Sequence, residues 1–168
     1  CEDLIYYITI MNEKYKMPAM PSKKGIEEGI LNGMYKYKSS RNNEHNVNLL
    51  GSGTILNEAL KASAILKDDY DIRSSVYSVT SYKCLYDDAV ETERQNRLSG
   101  KRNGKNHINK TVGTDKGIFV AASDYQKALP LSVSKWFPGP FTALGTDGFG
   151  KSDHRDELRE HFEVNSGQ

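Results

Sequence analysis

Cysteine is scarce and neither sign of charge dominates in this sequence of 168 residues. The two cysteines, Cys1 and Cys84, are too few for a disulfide framework or a cysteine metal site, so we expect a reducing, cytoplasmic compartment. The 23 basic and 22 acidic residues leave a net charge of +1, which gives no electrostatic reason to expect nucleic acid or an anionic membrane as a partner.

Long apolar runs are also missing. The run Leu4–Met11 is far shorter than the roughly 20 residues that cross a bilayer, and no basic segment precedes it as in a signal peptide. What is present is the composition of one globular domain, with a length sufficient for a single core. The sequence begins with Cys1 rather than methionine, which predicts a piece of a longer protein.

Two prolines mark a candidate domain boundary near the N-terminus. Leu4–Met11 is rich in β-branched and aromatic residues, which predicts a strand. The stretch Met17–Pro21 then carries Pro18 and Pro21, which disfavour a regular helix and favour an extended connector. We therefore expect the residues before the prolines to belong to a neighbouring domain.

Beyond the prolines, apolar runs of strand length alternate with helical patterns. This alternation predicts an α/β fold of three layers (αβα), with a mostly parallel sheet between helices. One antiparallel edge strand is expected, because Met34–Lys38 and Val47–Leu50 lie close enough in sequence to form a hairpin. The later predicted strands are Ser75–Val79, Gly117–Ala122 and Phe141–Leu144; the predicted helices are Ile55–Lys67, Tyr82–Leu98 with Thr80 or Ser81 as its N-cap, one starting at Asp124–Leu129, and Arg155–Phe162.

The turn Gly51–Thr54 lies where a nucleotide-binding loop would lie, between a strand and a helix. It lacks the third glycine of the dinucleotide fingerprint, because Leu56 stands at that position. A glycine turn at a helix N-terminus can still bind an anion. The alternative is a tight turn that packs a helix closely against a strand, and we favour this reading.

The stretch Ser99–Lys116 is polar and glycine-containing, which predicts a long loop. Its basic part, Lys101–Lys116, is a candidate contact for phosphate or RNA. No aromatic residue lies in the loop to stack on a base, so a solvated loop is the favoured interpretation.

Residue types of catalytic and metal sites occur, but not in the patterns that those sites need. Ser152, Asp153 and His154 are neighbours at a predicted helix start, where capping is expected and a hydrolase relay is not. The acids of this region lack the regular spacing of a calcium loop, and the histidines lack a partner four residues away. The residues considered and set aside are Asp147, Asp153, Asp156, Glu157, His45, His107 and His161, with Trp136 and Phe137 assigned to core or interface. The residues themselves therefore predict no catalytic, cofactor-binding or metal-binding site in this chain.

The stretch Leu144-Gly-Thr-Asp-Gly-Phe-Gly-Lys-Ser-Asp153, followed by Arg155, resembles the C-terminal signature of a known enzyme family. That family is the homodimeric, bacterial-type first component of the pyruvate dehydrogenase complex, in the transketolase superfamily. Further collinear matches are Tyr6-Tyr-Ile-Thr9, Asn12-Glu13, Met17-Pro-Ala-Met-Pro21, Glu28-Gly-Ile30, Gly33, Leu49-Leu-Gly-Ser-Gly-Thr-Ile55, Val76-Tyr-Ser-Val-Thr-Ser81, Glu93-Arg94, Asn96, Leu98, Ser123-Asp-Tyr125, Lys127 and His161-Phe-Glu-Val164. The resemblance thus covers almost the whole chain.

The resemblance implies an enzyme that uses thiamine diphosphate and Mg²⁺ to decarboxylate pyruvate and reductively acetylate the lipoyl group of an acyltransferase. It implies that residues 1–21 are the end of a preceding pyrimidine-binding-type domain and a linker. Residues 22–168 then form a transketolase C-terminal-like domain that lacks its last element. In the family the cofactor lies between the other two domains, and the third domain supports a homodimer. The segment is accordingly expected to be inactive alone, with the rest of its chain, a second subunit and the lipoyl acyltransferase as partners.

This sequence departs from the family pattern at three places. Gln95 stands where the family usually has tryptophan, Ser99-Gly100 stands where it has His-Pro, and Pro130 interrupts a usually continuous helix. Two alternatives remain open: a domain of another 2-oxo acid enzyme of the superfamily, or a standalone α/β module that binds an anion or RNA. Because glycine loops at the carboxyl edge of a sheet often face another domain, we expect Leu144–Asp153 to pack at an interface.

Overall fold

The structure, a computed structural model, describes residues 3–8, 10, 13–40, 47–100 and 104–168. Helices and strands alternate along most of this length. The elements are α1 (Ile26–Leu31), β1 (Met34–Lys38), β2 (Val47–Ser52), α2 (Ile55–Tyr70), β3 (Ser74–Val79), α3 (Tyr82–Ser99), α4 (His107–Val112), β4 (Ile118–Ala122), α5 (Ala128–Leu131), a 3₁₀ turn (Ser134–Trp136), β5 (Phe141–Leu144) and α6 (Arg155–His161).

The strands form one sheet in the order β1-β3-β2-β4-β5. Strand β2 pairs in parallel with β3 on one side and β4 on the other, with Val47 opposite both Ser74 and Ile118. Strand β5 extends the sheet in parallel beyond β4, and β1 pairs antiparallel with β3 at the opposite edge. The prediction of a mostly parallel sheet with one antiparallel edge strand is confirmed.

Side chains on successive strand residues fill two cores, one on each face of the sheet. Leu50, Tyr77 and Phe119 point to the face that α3 and α4 cover, where they pack with Leu85 and Ile108. Their neighbours in sequence point to the other face, where α2 packs. That second core contains Leu49, Leu56, Ala59 and Val76, with Val120 partly buried against it. Helices on both faces give the three-layer αβα arrangement that the sequence predicts.

The predicted hairpin is wrong, because β1 pairs with β3 and not with β2. Met34 lies opposite Val79, and the register shifts once, between Lys36 and Lys38. Both edges of β2 are already occupied by parallel strands, so no edge is left for its neighbour in sequence. The segment between β1 and β2 includes residues 41–46, which lie outside the described residues; His45 is one of them.

The predicted long loop Ser99–Lys116 is also wrong in part, because helix α4 lies within it. Asn106 is the N-cap, and its side chain accepts a hydrogen bond from the backbone N–H of Asn109 at 2.9 Å. Ile108 and Val112, four residues apart, are buried against the sheet. Two apolar residues and a cap thus form a helix in a stretch whose composition is that of a loop. Residues 101–103, part of the predicted phosphate or RNA contact, lie outside the described residues.

The described part of Leu4–Met11 contains no strand. Residues 3–8 and 10 have no regular structure, and Leu4, Ile5, Tyr7 and Ile10 are largely exposed. A strand needs a neighbour for its backbone N–H and C=O groups, and the described residues provide none here. Helix α5 begins at Ala128, within the predicted start, with Pro130 in its first turn, and α6 begins at Arg155 as predicted. Its N-cap differs from the prediction, because His154 rather than Ser152 or Asp153 occupies that position. No helix in the described part of the chain is long and apolar enough to cross a membrane.

Candidate functional site

The carboxyl edge of the sheet brings the turn after β2 close to the end of β4. The Ser52 hydroxyl donates a hydrogen bond to the Ser123 hydroxyl at 3.1 Å, and both side chains are buried. A Cβ atom at Gly51 would lie 2.7 Å from Cα and 2.9 Å from N of Leu56, in the first turn of α2. Thr54 occupies the N-cap position without a side-chain capping bond. The geometry matches a tight turn that packs the helix on the strand, the favoured interpretation of Gly51–Thr54.

The glycine loop after β5 is hydrogen-bonded to the segment after β4, while its tip is exposed to solvent. The backbone N–H of Thr146 donates to the Tyr125 carbonyl at 2.9 Å, and that of Lys127 donates to Asp147 Oδ1 at 3.0 Å. A Cβ atom at Gly145 would lie 2.5 Å from the same Tyr125 oxygen, whereas Gly148 has a φ of +77°. The tip of the loop carries Phe149, which is 98% exposed. Asp147 is thus engaged in holding the loop, with Lys127 Nζ 3.5 Å from its Oδ2.

A cleft of about 390 Å³ lies between this loop and α6. Asp153 and His154 line this cleft, and the side chains of Ser152, Asp153 and His154 are all exposed. The backbone N–H of His154 donates to Asp153 Oδ1 at 2.7 Å, and its ring Nδ1 lies 3.9 Å from Asp156 Oδ2. The arrangement is that of a helix start, as the sequence predicts, and it does not order the three residues as a hydrolase relay.

The histidines that the structure describes serve packing and hydrogen bonding. His107 Nε2 donates to the Met34 carbonyl at 2.8 Å, and the backbone N–H of His107 donates to Asp88 Oδ2 at 2.6 Å. His161 packs edge-on against Phe162. Throughout residues 3–8, 10, 13–40, 47–100 and 104–168, no three His, Cys, Asp or Glu side chains are placed to hold a metal ion.

Trp136 forms a polar and aromatic cluster with α3. Its indole N–H donates to Glu93 Oε1 at 2.7 Å, and Lys135 Nζ lies 3.2 Å from Glu93 Oε2. The ring also packs edge-on against Tyr86, with 5.7 Å between the ring centroids. The hydrogen bond from Trp136, followed by the one from Lys135, holds the pKa of Glu93 below its usual range.

This contact predicts an acid transition in the fluorescence of Trp136, the only tryptophan of the chain. Because the pKa of Glu93 is lower in the folded state than in the unfolded state, the stabilisation by its contacts is present above the ordinary glutamate pKa. It is lost as the pH falls through the lowered value. We therefore expect a fluorescence change with a midpoint below the ordinary glutamate range, measured in a pH titration of the 168-residue chain.

Glu93→Gln should remove this titration. Glu91→Gln is the matched control, because the pKa of Glu91 is also lowered, chiefly by a hydrogen bond from Gln95. The hydrogen bonds of Glu91 come from Gln95 and Arg94 on its own helix rather than from the indole. An unchanged titration in Glu93→Gln would contradict the assignment.

A buried polar cluster joins α2, α6 and residues 13–25, the connector that precedes α1, and sequence reasoning missed it. Glu58 is buried on the apolar face of α2, three residues after Ile55 and four before Ala62. Arg159 of α6 approaches it, with 3.6 Å between Nη1 and Glu58 Oε1. Tyr15 of the connector accepts a hydrogen bond from Arg159 Nη2 at 3.4 Å. The signal in the sequence that could have revealed this cluster is Glu58, a charged residue within the apolar stripe of a helix.

Neither the edge of the sheet nor this cluster supplies a set of groups for catalysis. Burial raises the pKa of the Tyr77 and Tyr82 hydroxyls, so neither phenol provides a base near neutral pH. The described residues instead form turns, caps and ion pairs that hold elements together.

Residues 33–165 match the family described as the transketolase-like TK C-terminal domain. Curated relatives include the pyruvate dehydrogenase E1 components of Pseudomonas aeruginosa, 43% identical over 97% of this chain and 19% of that protein, and of Escherichia coli K12, 43% identical over 98% of this chain and 18% of that protein. The chain therefore spans less than a fifth of the length of these relatives. Among solved structures, transketolase from Leishmania mexicana superimposes with a TM-score of 0.56 and 16% identity, covering 83% of this chain and 17% of that one, which shows a shared fold.

Proposed function

Because the chain belongs to the family of transketolase-like C-terminal domains, we propose that it is the C-terminal domain of a pyruvate dehydrogenase E1 component. The observation that carries the proposal is the similarity of 43–44% identity to such components over 97–98% of the chain. The related transketolase fold is consistent with it, but that fold alone does not choose a substrate.

In this proposal the enzyme decarboxylates pyruvate and reductively acetylates the lipoyl groups of an acyltransferase. Thiamine diphosphate and Mg²⁺ would supply the decarboxylation chemistry. A Mg²⁺–diphosphate group needs converging oxygen ligands, and the described acidic side chains are dispersed in separate ion pairs and helix starts. The residues that the structure describes do not fit the group, so we propose that it binds in other parts of the E1 polypeptide.

The contribution of this domain is then architectural. Residues 1–21 would be the end of a preceding domain and a connector, and residues 22–168 the C-terminal domain. Exposed apolar side chains at Leu4–Ile8 support this division, because such a surface is expected to be covered by protein. We further propose a homodimeric, cytoplasmic enzyme. Phe149, exposed at the tip of an anchored loop, is the side chain that we expect to contact another domain or subunit.

The proposal is tested with pyruvate-dependent dye reduction in the presence of thiamine diphosphate and Mg²⁺. We expect activity from the full-length protein and none from the 168-residue chain, because in this proposal the cofactor binds in the other parts of the polypeptide. The control is a panel of other 2-oxo acids, on which the full-length protein should be much less active than on pyruvate.

The outcomes separate the alternatives. Activity in the 168-residue chain would contradict the placement of the site elsewhere, and preference for another 2-oxo acid would favour another enzyme of the superfamily. Tight binding of the chain to an RNA pool or to nucleotides at low salt, with an inactive full-length protein, would favour a binding module.

A further inference from the structure

The connector before α1 lies against the arginines of α6, in contacts that nothing in the family similarity assigns. The guanidinium carbons of Arg155 and Arg159 lie 5.8 Å and 5.5 Å from the centre of the Tyr15 ring, within the range of cation–π attraction. Arg155 Nε lies 3.3 Å from Glu13 Oε1, and the Tyr15 hydroxyl donates to Glu13 Oε2 at 3.0 Å. An ion pair and cation–π contacts thus both hold the connector against α6.

Glu58, the partner of Arg159, is itself held by contacts within the domain. Lys61 Nζ donates a hydrogen bond to Glu58 Oε1 at 2.9 Å, and the backbone N–H of Ser166 donates one to Glu58 Oε2 at 3.2 Å. The side chains of Glu58 and Arg159 are only 8% and 13% exposed. At this burial an ion pair is only weakly screened by solvent. Arg159 is therefore held in place by Glu58 of α2 while it contacts Tyr15 of the connector.

We propose that Tyr15, Arg155 and Arg159, fixed by Glu58, form a latch that holds the connector in one course across the domain. The same arginines line the cleft beside the glycine loop, together with Glu13 and Lys151. The latch therefore fixes the course of the connector beside this cleft. Its consequence is that α6 sets the direction in which the preceding part of the polypeptide leaves this domain.

The latch is a conformational device, and its test does not rest on the proposed enzymatic function. Lys14 and Lys16 flank Tyr15 and are exposed, so trypsin reports whether the connector is held. Proteolysis requires the segment to open from its course, and its rate follows the population of the open form. In the full-length protein, we expect Tyr15→Ala to speed cleavage after Lys14 or Lys16 at least tenfold, read by quantitative mass spectrometry of the fragments.

Two further variants keep the result interpretable. Arg159→Ala should speed the same cleavages, and Tyr15→Phe, which retains the ring but not the hydroxyl, should stay within about threefold of the unchanged protein if stacking carries the latch. Arg94→Ala is the matched control, because Arg94 forms an exposed pair with Glu91 at 3.3 Å on α3, remote in sequence from the connector. Cleavage after Lys61 and Lys67 within α2 monitors global unfolding.

The proposal is supported if connector cleavage rises in Tyr15→Ala and Arg159→Ala while α2 stays protected. It is overturned if Tyr15→Ala changes connector cleavage less than twofold, or if Arg94→Ala speeds it as much. Should Arg159→Ala also expose α2, that variant is scored as unfolded, and Tyr15→Ala, whose side chain lies outside both cores, decides the question.

Discussion

Replacing Gly51 with alanine will destabilise the domain by at least about 3 kcal/mol, in the upper range for overpacking in a filled interior. The added Cβ would meet Cα and N of Leu56, which are backbone atoms at the start of α2 and cannot rotate away. Strand β2 cannot shift to relieve the contact either, because parallel strands hold both of its edges. Urea unfolding of the 168-residue chain, followed by circular dichroism, measures the change.

Two other glycines serve as matched controls for Gly51→Ala. Gly150 has open space around its would-be Cβ and no positive φ, so Gly150→Ala should change stability by less than about 0.5 kcal/mol. Gly53 also has open space but a φ of +55°, so Gly53→Ala should cost about 1 kcal/mol. A Gly51→Ala variant as stable as Gly150→Ala would show that close helix–strand packing is not the reason for this glycine.

Phe119→Ala is expected to cost about 3–5 kcal/mol, the range for removing a large aromatic side chain from a core. Phe119 is fully buried in the middle of β4, and its ring centroid lies 5.0 Å from that of Phe137. The substitution would remove the ring that joins the sheet to the turn before β5. The free energy of unfolding from urea titrations provides the measurement.

The control is the next residue along the strand. Ile118 points to the opposite face of β4 and is 50% exposed, so Ile118→Ala should cost about 1 kcal/mol or less. Similar losses for Phe119→Ala and Ile118→Ala would contradict the assignment of the main core to the face covered by α3 and α4.

The sequence predicts the layers of this fold well, because the signals for them are local. Short apolar runs identify β3, β4 and β5. Ser81 caps α3 by accepting a hydrogen bond from the backbone N–H of Cys84 at 3.1 Å. Strand order is a different property. The choice of β3 rather than β2 as the partner of β1 depends on which edges the rest of the sheet occupies, and no local pattern in Met34–Lys38 carries that information.

The same distinction between local and long-range information applies to the candidate site. The carboxyl-edge turn at Gly51 and the start of α6 at Arg155 could be inferred from short stretches. The latch could not, because Tyr15, Glu58 and Arg159 come from three distant segments and only their arrangement in space joins them. Helix α4 was missed for another reason: its burial rests on Ile108 and Val112 alone, within a stretch of polar composition.

The central position of β2 also determines the order in which this chain can acquire its structure. Val47–Ser52 is synthesised well before one of its two neighbours, β4, which ends only at Ala122. Until then, one edge of an apolar strand has no partner on the ribosome-bound chain, and such edges promote association between chains. Sheets assembled from strands so distant in sequence form slowly. Folding yield is therefore expected to depend on how well the nascent chain is shielded between the synthesis of β2 and that of β4.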